Sequence, residues 1–305
     1  MNSITEEILK EITDWDGIFS GAYSLRENGE CISFQNSDNI RIVKKEDKSG
    51  IDIYISSAAK ETVYIPACVT KSAVEDVVYN DFHVQSGADV VIVAGCGVHT
   101  DAEEGSAHNG IHRFFLEKDS RVVYKEKHVG IGNGAGKRVI DPVTYAELEE
   151  NSVLEMETLQ LHGVDRTTRD TKAVLGRGAK LKIHESILTD KDQSASTKFL
   201  VDLNGDDSSV DLVSRSVAKD DSVQEYSSVI NGNVRCTGHS ECDAILAGNG
   251  RVNASPALNA ACIDASLIHE AAIGKIAGEQ IIKLMTLGLT EEEAEEKIIA
   301  GFLGA

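Results

Sequence analysis

Several residue types are scarce in this sequence, and each shortage excludes a class of protein. Only 3 of the 305 residues are proline and 5% are aromatic, whereas 26 are glycine, which favours many tight turns and few rigid linkers. The longest apolar run, residues 90–98, is far shorter than the roughly 20 residues that a membrane-spanning helix needs. The acidic segment 1–17 has no apolar stretch of the kind found in secretory signals. We therefore expect a cytoplasmic protein that is not inserted in a membrane.

Basic residues are also in short supply. The chain has 30 Lys and Arg residues against 50 Asp and Glu residues, which gives a formal net charge of −20. A surface of that sign repels phosphate backbones, so nucleic acid is not an expected partner. A protein partner with a basic patch is compatible with this charge.

The cysteines lack the spacing of the common metal and redox motifs. No two of them form a CxxC pair, so the sequence offers neither a zinc ribbon nor a thioredoxin motif. In a cytosolic chain of this size we expect free thiols, most of them buried, with one or two as candidate ligands. The six are Cys31, Cys68, Cys96, Cys236, Cys242 and Cys262.

What the sequence does contain is a regular spacing of short β-branched runs. Successive runs begin at Val90, Val122, Val153, Leu181 and Val210. Their spacing of about 30 residues indicates stacked β-coils, because a single coil cannot bury its apolar face alone. A further run starts near residue 223, so half a repeat is also visible. The pattern predicts a mainly β fold of the β-helix type.

The sequence divides into three segments. Residues 1–84 hold a predicted helix at 2–14, where isoleucine and leucine recur at helical spacing, followed by a mixed region with alternating strands. Residues 85–265 form the predicted β-helix core. Residues 266–305 are predicted to be a helical C-terminal region.

Two amphipathic helices are predicted in that C-terminal region. The first covers residues 272–286 and ends before Gly288, a plausible C-cap. The second begins at the capping box 290–293, whose acids lie at the positive end of the helix dipole. Such helices at the end of a β-rich body are either a docking device or a cap that closes the β-helix.

The glycine-rich segment 130–138 resembles a phosphate-binding loop only superficially. Gly130 is one residue too far from Gly136, and Arg138 stands where a P-loop has Ser or Thr. We interpret the segment as a glycine-rich loop and expect no ATP hydrolysis by this chain.

One stretch is dense in side chains that bind metals. Histidine and carboxylate ligands suit zinc or iron, but the spacing matches no known ligand signature. Gly105, Asn109 and Gly110 predict a loop here, so polar turn chemistry is the alternative. The candidate residues are Cys96, His99, Asp101, Glu103, His108 and His112.

Two further motifs lie near the C-terminus. Cys236 and Cys242 are six residues apart, so on a strand they point to the same face about 20 Å apart and cannot bind one ion together. Either one alone can be a ligand that is completed from elsewhere. The adjacent pair His269 and Glu270 offers imidazole and carboxylate, although a structural or capping histidine is the commoner case for such a pair.

Taken together, the C-terminal residues resemble a known family. The matching parts are 241–246 (ECDAIL), Pro256, 268–276 (IHEAAIGKI), 287–294 (LGLTEEEA) and 299–302 (IAGF). In order and spacing they are similar to the C-terminal core of the SufB/SufD family of iron–sulfur cluster assembly proteins. The resemblance implies a right-handed parallel β-helix flanked by N- and C-terminal helical regions.

The resemblance also implies functional residues. Cys242 matches the family's cysteine that is proposed to accept sulfur or to ligate the cluster. His269 matches a histidine proposed as a ligand at the dimer interface, and Glu270 matches a glutamate of the SufB-type version. Ile268 departs from the pattern, since SufB-type sequences often have a second glutamate there. The chain is also shorter than many relatives, so sites in their longer N-terminal regions cannot be transferred.

The implied function is that of a scaffold, without enzymatic activity of its own. It would build a transient iron–sulfur cluster at the interface of a homodimer, or of a SufB–SufD-type heterodimer. A SufC-type ABC ATPase would bind the C-terminal helices and drive the process. A sulfur donor and apo iron–sulfur proteins are further implied partners.

Two rival interpretations remain at this point. The first is a SufD-like structural subunit that docks the ATPase without holding a cluster, which the presence of Cys242 and Glu270 disfavours. The second is a polysaccharide lyase, since β-helices often host such enzymes and residues 165–170 contain two Asp and two Arg. The low aromatic content and the lack of an export signal disfavour a lyase.

Overall fold

The computed structural model describes residues 2–304. Alternating inward and outward side chains organise most of them into the stacked parallel coils of a β-solenoid of about eight turns. The elements are α1 (Ser3–Thr13), β1 (Ala22–Glu27), β2 (Glu30–Gln35), β3 (Ile40–Lys44), β4 (Gly50–Ile55), β5 (Thr62–Val69), β6 (Glu75–Val84), β7 (Asp89–His99), β8 (Ser106–Leu116), β9 (Arg121–Ile131), β10 (Arg138–Ile140), β11 (Val143–Leu148), β12 (Val153–His162), β13 (Arg166–Leu175), β14 (Lys180–Thr189), β15 (Ser194–Leu203), β16 (Ser208–Ala218), β17 (Val223–Gly232), β18 (Cys236–Leu246), β19 (Arg251–Ala260), β20 (Ala265–Gly274), α2 (Gly278–Met285) and α3 (Glu291–Leu303).

The strands form two sheets that run along the solenoid. The first has the order β2-β1-β5-β7-β9-β12-β14-β16-β18-β20. The second has the order β19-β17-β15-β13-β10-β8-β6-β4-β3, with β11 also paired to β13 and β8. All pairs are parallel except β1 with β2 and β3 with β4. The predicted parallel β-helix is therefore confirmed.

The repeat predicted from the sequence corresponds to the rungs of the first sheet. Val90 pairs with Val122, and Leu181 pairs with Val210. One step was wrong by a single position, because Leu154 and not Val153 pairs with Val122 and is buried in the core. The run that begins half a repeat later is β17, which belongs to the second sheet, so each coil contributes to both sheets.

The turns between coils also stack. Asp119, Asn151 and Asp207 each adopt a left-handed backbone conformation, with φ between 57° and 62°. Asp and Asn tolerate this conformation better than other non-glycine residues. The Asn151 side-chain amide donates to Asp119 Oδ1 at 3.1 Å, so neighbouring turns are hydrogen-bonded to each other.

The predicted N-terminal helix is confirmed as α1. Its apolar stripe, Ile8, Leu9 and Ile12, is fully buried and packs with Leu25 and Val129 beside the first sheet. This helix therefore covers the outer surface of the sheet near its N-terminal end.

The two predicted C-terminal helices are present, but the first begins later than expected. Residues 272–274 continue β20 because this strand pairs with β18 along its whole length, and α2 starts only at residue 278. The second helix, α3, has the predicted capping box, with Thr290 Oγ1 accepting from the Glu293 amide. Within residues 2–304 no helix is long and apolar enough to cross a membrane.

The parallel ladder extends beyond residues 85–265 on both sides. It already includes β4 with β6 and β5 with β7, and it ends with β20 at Gly274. The division of the chain at residues 85 and 266 stays a prediction, while the coils themselves are continuous across both positions.

Candidate functional site

The candidate residues from the sequence lie on the last two rungs of the first sheet. In the pairing of β18 with β20, Ser240 is opposite His269, Glu241 is opposite Glu270, and Cys242 is opposite Ala271. Side chains alternate between the two faces of a sheet. Cys242 and His269 therefore point to the interior of the solenoid, whereas Glu270 points outward.

Cys242 is an interior residue. Only 1% of it is exposed, and it belongs to the main hydrophobic core. Burial raises the pKa of its thiol to about 12, with smaller contributions from the negative charges of Glu185 and Asp243. At neutral pH the side chain is therefore a protonated thiol. A cation, or exposure to solvent, is needed before it acts as a thiolate.

His269 is oriented by the backbone of the preceding coil. Its Nδ1 lies 2.9 Å from the carbonyl oxygen of Ser240. A carbonyl only accepts hydrogen bonds, so Nδ1 carries the proton and Nε2 of the neutral ring keeps its lone pair. His269 is the diagonal neighbour of Cys242 on the interior face, which corresponds to roughly 8 Å between the two positions in a sheet. The ring is thus prepared to bind a cation close to the thiol.

Glu270 lies on the opposite face of the sheet from these two residues. There it meets two side chains that were not among the predicted site residues, His239 and Glu241. His239 Nε2 is 3.7 Å from Glu270 Oε2. Glu241 and Glu270 are separated in sequence by the same number of residues as Leu181 and Val210, which pair on neighbouring coils. The stacking of the two glutamates was therefore detectable in the sequence. The structure therefore brings Cys242 and His269 together and separates Glu270 from them.

Comparison with known proteins finds a family match that includes the candidate site. The family profile "SUF system FeS cluster assembly, SufBD core domain" matches residues 71–302. The chain belongs to the SufB/SufD family.

Named relatives of this family come from several archaea. An iron-sulfur cluster assembly SufBD family protein of Pyrococcus horikoshii is 27% identical over 100% of this chain and 95% of its own length. A protein of the same description from Archaeoglobus fulgidus is 27% identical over 86% of this chain and 70% of its own length. Another, from Methanothermobacter thermautotrophicus, is 28% identical over 84% of this chain, but the match spans only 63% of that relative.

The other cysteines of this SufB/SufD protein do not gather at the site. Cys236 lies on β18 and is buried like Cys242, which confirms that the two share a face six residues apart. Cys68 and Cys96 are buried near the other end, whereas Cys31 is exposed. No disulfide is present in the described part of the chain, as expected for free thiols.

The loop predicted in the region 96–112 is present only at residues 100–105. Residues 106–116 form β8, and the side chains of His108 and His112 are buried in the interior. His108 Nδ1 lies 2.9 Å from Asp76 Oδ2. Burial alone would raise the pKa of Asp76, but hydrogen bonds from Arg26 and His108 hold it well below its usual range. This histidine therefore has a structural ion-pair partner.

The remaining candidates of that region are dispersed. Asp101 and Glu103 lie exposed in the connection that follows β7, away from the buried histidines. His99 pairs with Asp101 at 3.2 Å. The predicted cluster is therefore divided within residues 2–304. Cys96, His108 and His112 line one small buried cavity, whereas the polar turn chemistry considered as the alternative applies to the exposed Asp101 and Glu103.

A polar network that the sequence did not reveal fills the interior nearby. Arg169 Nη1 donates to Glu126 Oε2 at 2.8 Å, and its Nε lies 3.2 Å from Glu185 Oε1. Both carboxylates are buried, and Tyr124 donates a further hydrogen bond to Glu126 at 2.8 Å. Arg169 thus points into the solenoid, so it does not line a surface groove of the kind a polysaccharide lyase would need.

The glycine-rich segment is a loop, as predicted, and its amides are already engaged. It connects β9 with β10, and Gly134 N and Gly136 N donate to the carbonyls of Thr100 and Ala102 on the preceding coil. A Cβ atom at residue 134 would lie 2.4 Å from Ala102 N. These glycines therefore permit two coils to approach closely, and their amides are not free to bind a phosphate.

Proposed function

We propose that the protein is a scaffold on which a nascent iron–sulfur cluster is built and then transferred to apo-proteins. The observation that carries the proposal is the position of Cys242 and His269. They share the interior face of the last two rungs of the solenoid, at the end that no further coil covers within residues 2–304. Membership of the SufB/SufD family supports the same function.

The proposed ligands suit a cluster that must be released. A thiolate from Cys242 and the free Nε2 of His269 are soft and intermediate ligands for iron. With one thiolate per chain, the cluster is held less tightly than by four cysteines. Glu270 lies on the outer face, so we assign it to the supply of iron and not to the interior ligand pair.

The proposed cluster site lies between two copies of the chain. β19 and β20 are the last strands of their sheets, and within the described residues nothing pairs with their outer edges. Long unprotected edges are rare because they template pairing with another chain. Ile268 and Ile273 on β20 are 53% and 42% exposed, so a second copy there would also cover apolar surface. In a heterodimer, a paralogous chain would pair with the same edges of β19 and β20.

The proposed partner on the C-terminal helices is a SufC-type ABC ATPase. Helix α2 has no buried residue, and Ile282, Met285 and Leu287 expose large apolar side chains. Helix α3, in contrast, is anchored by Ile299 and Leu303 against Val217 of β16. A pull on α2 would therefore reach the sheet that carries Cys242 through α3, as a partner-driven switch between two states.

Anaerobic reconstitution tests the proposal. The protein is incubated with ferrous iron and sulfide, and its visible spectrum and iron and sulfide contents are measured. We expect cluster absorption in the parent protein and its loss in Cys242→Ala. Cys236→Ala is the matched control, because Cys236 is buried on the same strand and face. Circular dichroism confirms that both variants are folded.

The outcome separates the two thiols. Loss of the cluster in Cys242→Ala with retention in Cys236→Ala supports the site. An equal cluster yield in the Cys242→Ala variant and the parent would overturn it.

A second candidate function is a docking subunit of the same assembly that holds no cluster. The deep burial of Cys242 favours it, because a thiol with a pKa of about 12 is unreactive at neutral pH. In this case the parent chain would bind the ATPase but would acquire no cluster, with or without the ATPase present. The reconstitution therefore distinguishes the two candidates.

A further inference from the structure

The outer face of the last two rungs carries a compact group of metal-binding side chains. His239 and Glu241 lie two residues apart on β18, and Glu270 lies opposite Glu241 on β20. One ligand atom from each of the three residues lies within 4.8 Å of those of the other two. The parallel register produces this proximity, because it stacks the two carboxylates and places the imidazole at the adjacent outward position.

His239 is oriented as a metal-binding histidine is. On the coil before it, Asp211 of β16 lies directly opposite, and its Oδ1 is 2.8 Å from His239 Nδ1. The carboxylate accepts, so in the neutral ring the proton is on Nδ1 and the lone pair of Nε2 faces Glu270 at 3.7 Å. A carboxylate that holds the far nitrogen in this way fixes the tautomer and raises the basicity of the ligand.

A second group of this type in the described residues is already neutralised by cations of the protein itself. Asp52, Asp81 and His83 also lie within 4.8 Å of one another. There, Lys45 Nζ lies 2.6 and 2.8 Å from the two carboxylates, and Arg113 pairs with Asp81 as well. The protein's own cations neutralise that group, so it has no need of a metal ion.

The group on the last rungs has no lysine or arginine in direct contact, although the positive charge of Arg215 acts on Glu241 from farther away. Among the ion pairs of residues 2–304, none joins a Lys or Arg to Glu241 or Glu270. Glu241 is half-buried and Glu270 is exposed, so a cation can reach both carboxylates from solvent. Two negative oxygen ligands and one nitrogen ligand, with open positions, match the preference of divalent iron and its neighbours.

We propose that His239, Glu241 and Glu270 bind a single divalent transition-metal ion on the outer face of β18 and β20. Asp211 is a positioning residue that holds the imidazole. The identification of the ion as the ferrous iron that enters the cluster rests on the proposed function, whereas metal binding itself does not. The site lies on the other side of the same two strands from Cys242 and His269, so it would hold iron next to the place where the cluster is built.

Cobalt binding tests this site without any cluster chemistry. The whole chain is titrated anaerobically with Co²⁺, whose visible absorption reports coordination, in the absence of sulfide. We expect one ion per chain and at least a tenfold loss of affinity in His239→Ala and in Glu241→Gln. Asp211→Asn should weaken binding about tenfold, as loss of an outer carboxylate does.

A matched control separates this site from others. His162→Ala removes a histidine that pairs with a single carboxylate, Glu11, at 3.2 Å, and should leave Co²⁺ binding unchanged. Absence of Co²⁺ binding in the parent, or equal affinity in His239→Ala, would overturn the inference.

The test is independent of the proposed scaffold function. If Co²⁺ binds at the site but the parent forms no cluster, the scaffold proposal fails and the metal site stands. If the cluster forms and Co²⁺ does not bind, the metal site fails and the scaffold stands.

Discussion

Replacing Arg169 by alanine should reveal how the solenoid interior is held together. Arg169 extends from the second sheet, on β13, across the interior to the first sheet. There it contacts Glu126 of β9 at 2.8 Å and Glu185 of β14 at 3.2 Å. All three side chains are buried. The guanidinium is thus a polar cross-link between the two sheets.

The expected loss of folding stability follows from the buried carboxylates that Arg169→Ala leaves without their partner. Removing one partner of a buried ion pair costs about 3–5 kcal/mol, because the other charge remains buried without compensation. Here Glu185 still accepts hydrogen bonds from Thr197 at 3.0 Å and Ser214 at 3.2 Å, and Glu126 keeps its bond from Tyr124. These partners reduce the penalty, so we expect a destabilisation at the lower end, roughly 3 kcal/mol.

The loss should increase with pH. Burial already raises the pKa of Glu185 above its usual value, and Arg169 is the main opposing influence. Without Arg169 the pKa of Glu185 rises further. A carboxyl group with a raised folded-state pKa contributes stability below its unfolded pKa and loses it as the pH rises through the folded value. Arg169→Ala should therefore be closer to the parent at pH 5 than at pH 8.

Urea unfolding, followed by far-ultraviolet circular dichroism at both pH values, measures the effect. Arg166→Ala is the matched control, since Arg166 lies on the same strand but its ion pair with Asp141, at 2.6 Å, is half exposed. A surface pair is worth up to about 1 kcal/mol. Equal m-values are needed for the comparison. Equal losses in the two variants, or a loss in Arg169→Ala that does not grow with pH, would refute the reasoning.

Three further predictions concern a histidine, a helix cap and a thiol. Burial lowers the pKa of His112 to about 4, so the unfolded chain takes up a proton between pH 6.5 and 4 that the folded chain does not. Stability should then fall by roughly 3 kcal/mol over that range, and His112→Phe should flatten the unfolding profile against pH. Thr290→Ala removes the cap of α3 and should cost about 1 kcal/mol, seen as faster amide exchange in that helix only. Iodoacetamide at pH 8 should label the exposed Cys31 and leave the buried Cys242 unmodified, as measured by mass spectrometry of the peptides, and labelling of both cysteines would contradict the burial of Cys242.

The repeat was predictable because a parallel ladder preserves spacing from coil to coil. Each rung must place an apolar side chain over the one before it, so β-branched runs recur at the length of the coil. The error of a single position at Val153 has a local cause. Val153 is the first residue of β12 and only half-buried, and Leu154 takes the interior position. Periodicity identifies the strand but does not decide which of two adjacent apolar residues points inward.

His108 and His112 were identified as candidates, but the strand that buries them was not predicted, because local preference and tertiary packing disagree. Gly105, Asn109 and Gly110 favour a turn on their own, yet the ladder between β6 and β10 imposes a strand. Gly110 is required by packing in the interior, since a Cβ there would lie 2.6 Å from His112 Nε2. The glycine therefore makes room for a buried ring, a contact that no local pattern can show.

The resemblance identified Cys242, His269 and Glu270 but could not place them on a face. Faces depend on the register between neighbouring coils, and the step from β18 to β20 is longer by a single position than the step from β16 to β18, which pairs Ser214 with Cys242. With the shorter step, Glu270 would lie opposite Cys242 and share its face. The actual step pairs Glu270 with Glu241 and turns it outward. One additional position in a turn thus decides which of the two neighbours, His269 or Glu270, shares the interior face with Cys242.

Burial along the solenoid supports the proposed position of a releasable cluster at its last rungs. In the interior layers of β16, residues such as Leu212 are completely covered by coils on both sides. Cys242, one rung later, is still buried, whereas His269 on the final rung is only partly so. At this end of the solenoid, the penultimate layer is where a ligand is protected at rest and can be reached after a small movement. Displacing β20 alone would uncover Cys242, while any earlier layer would require several coils to open.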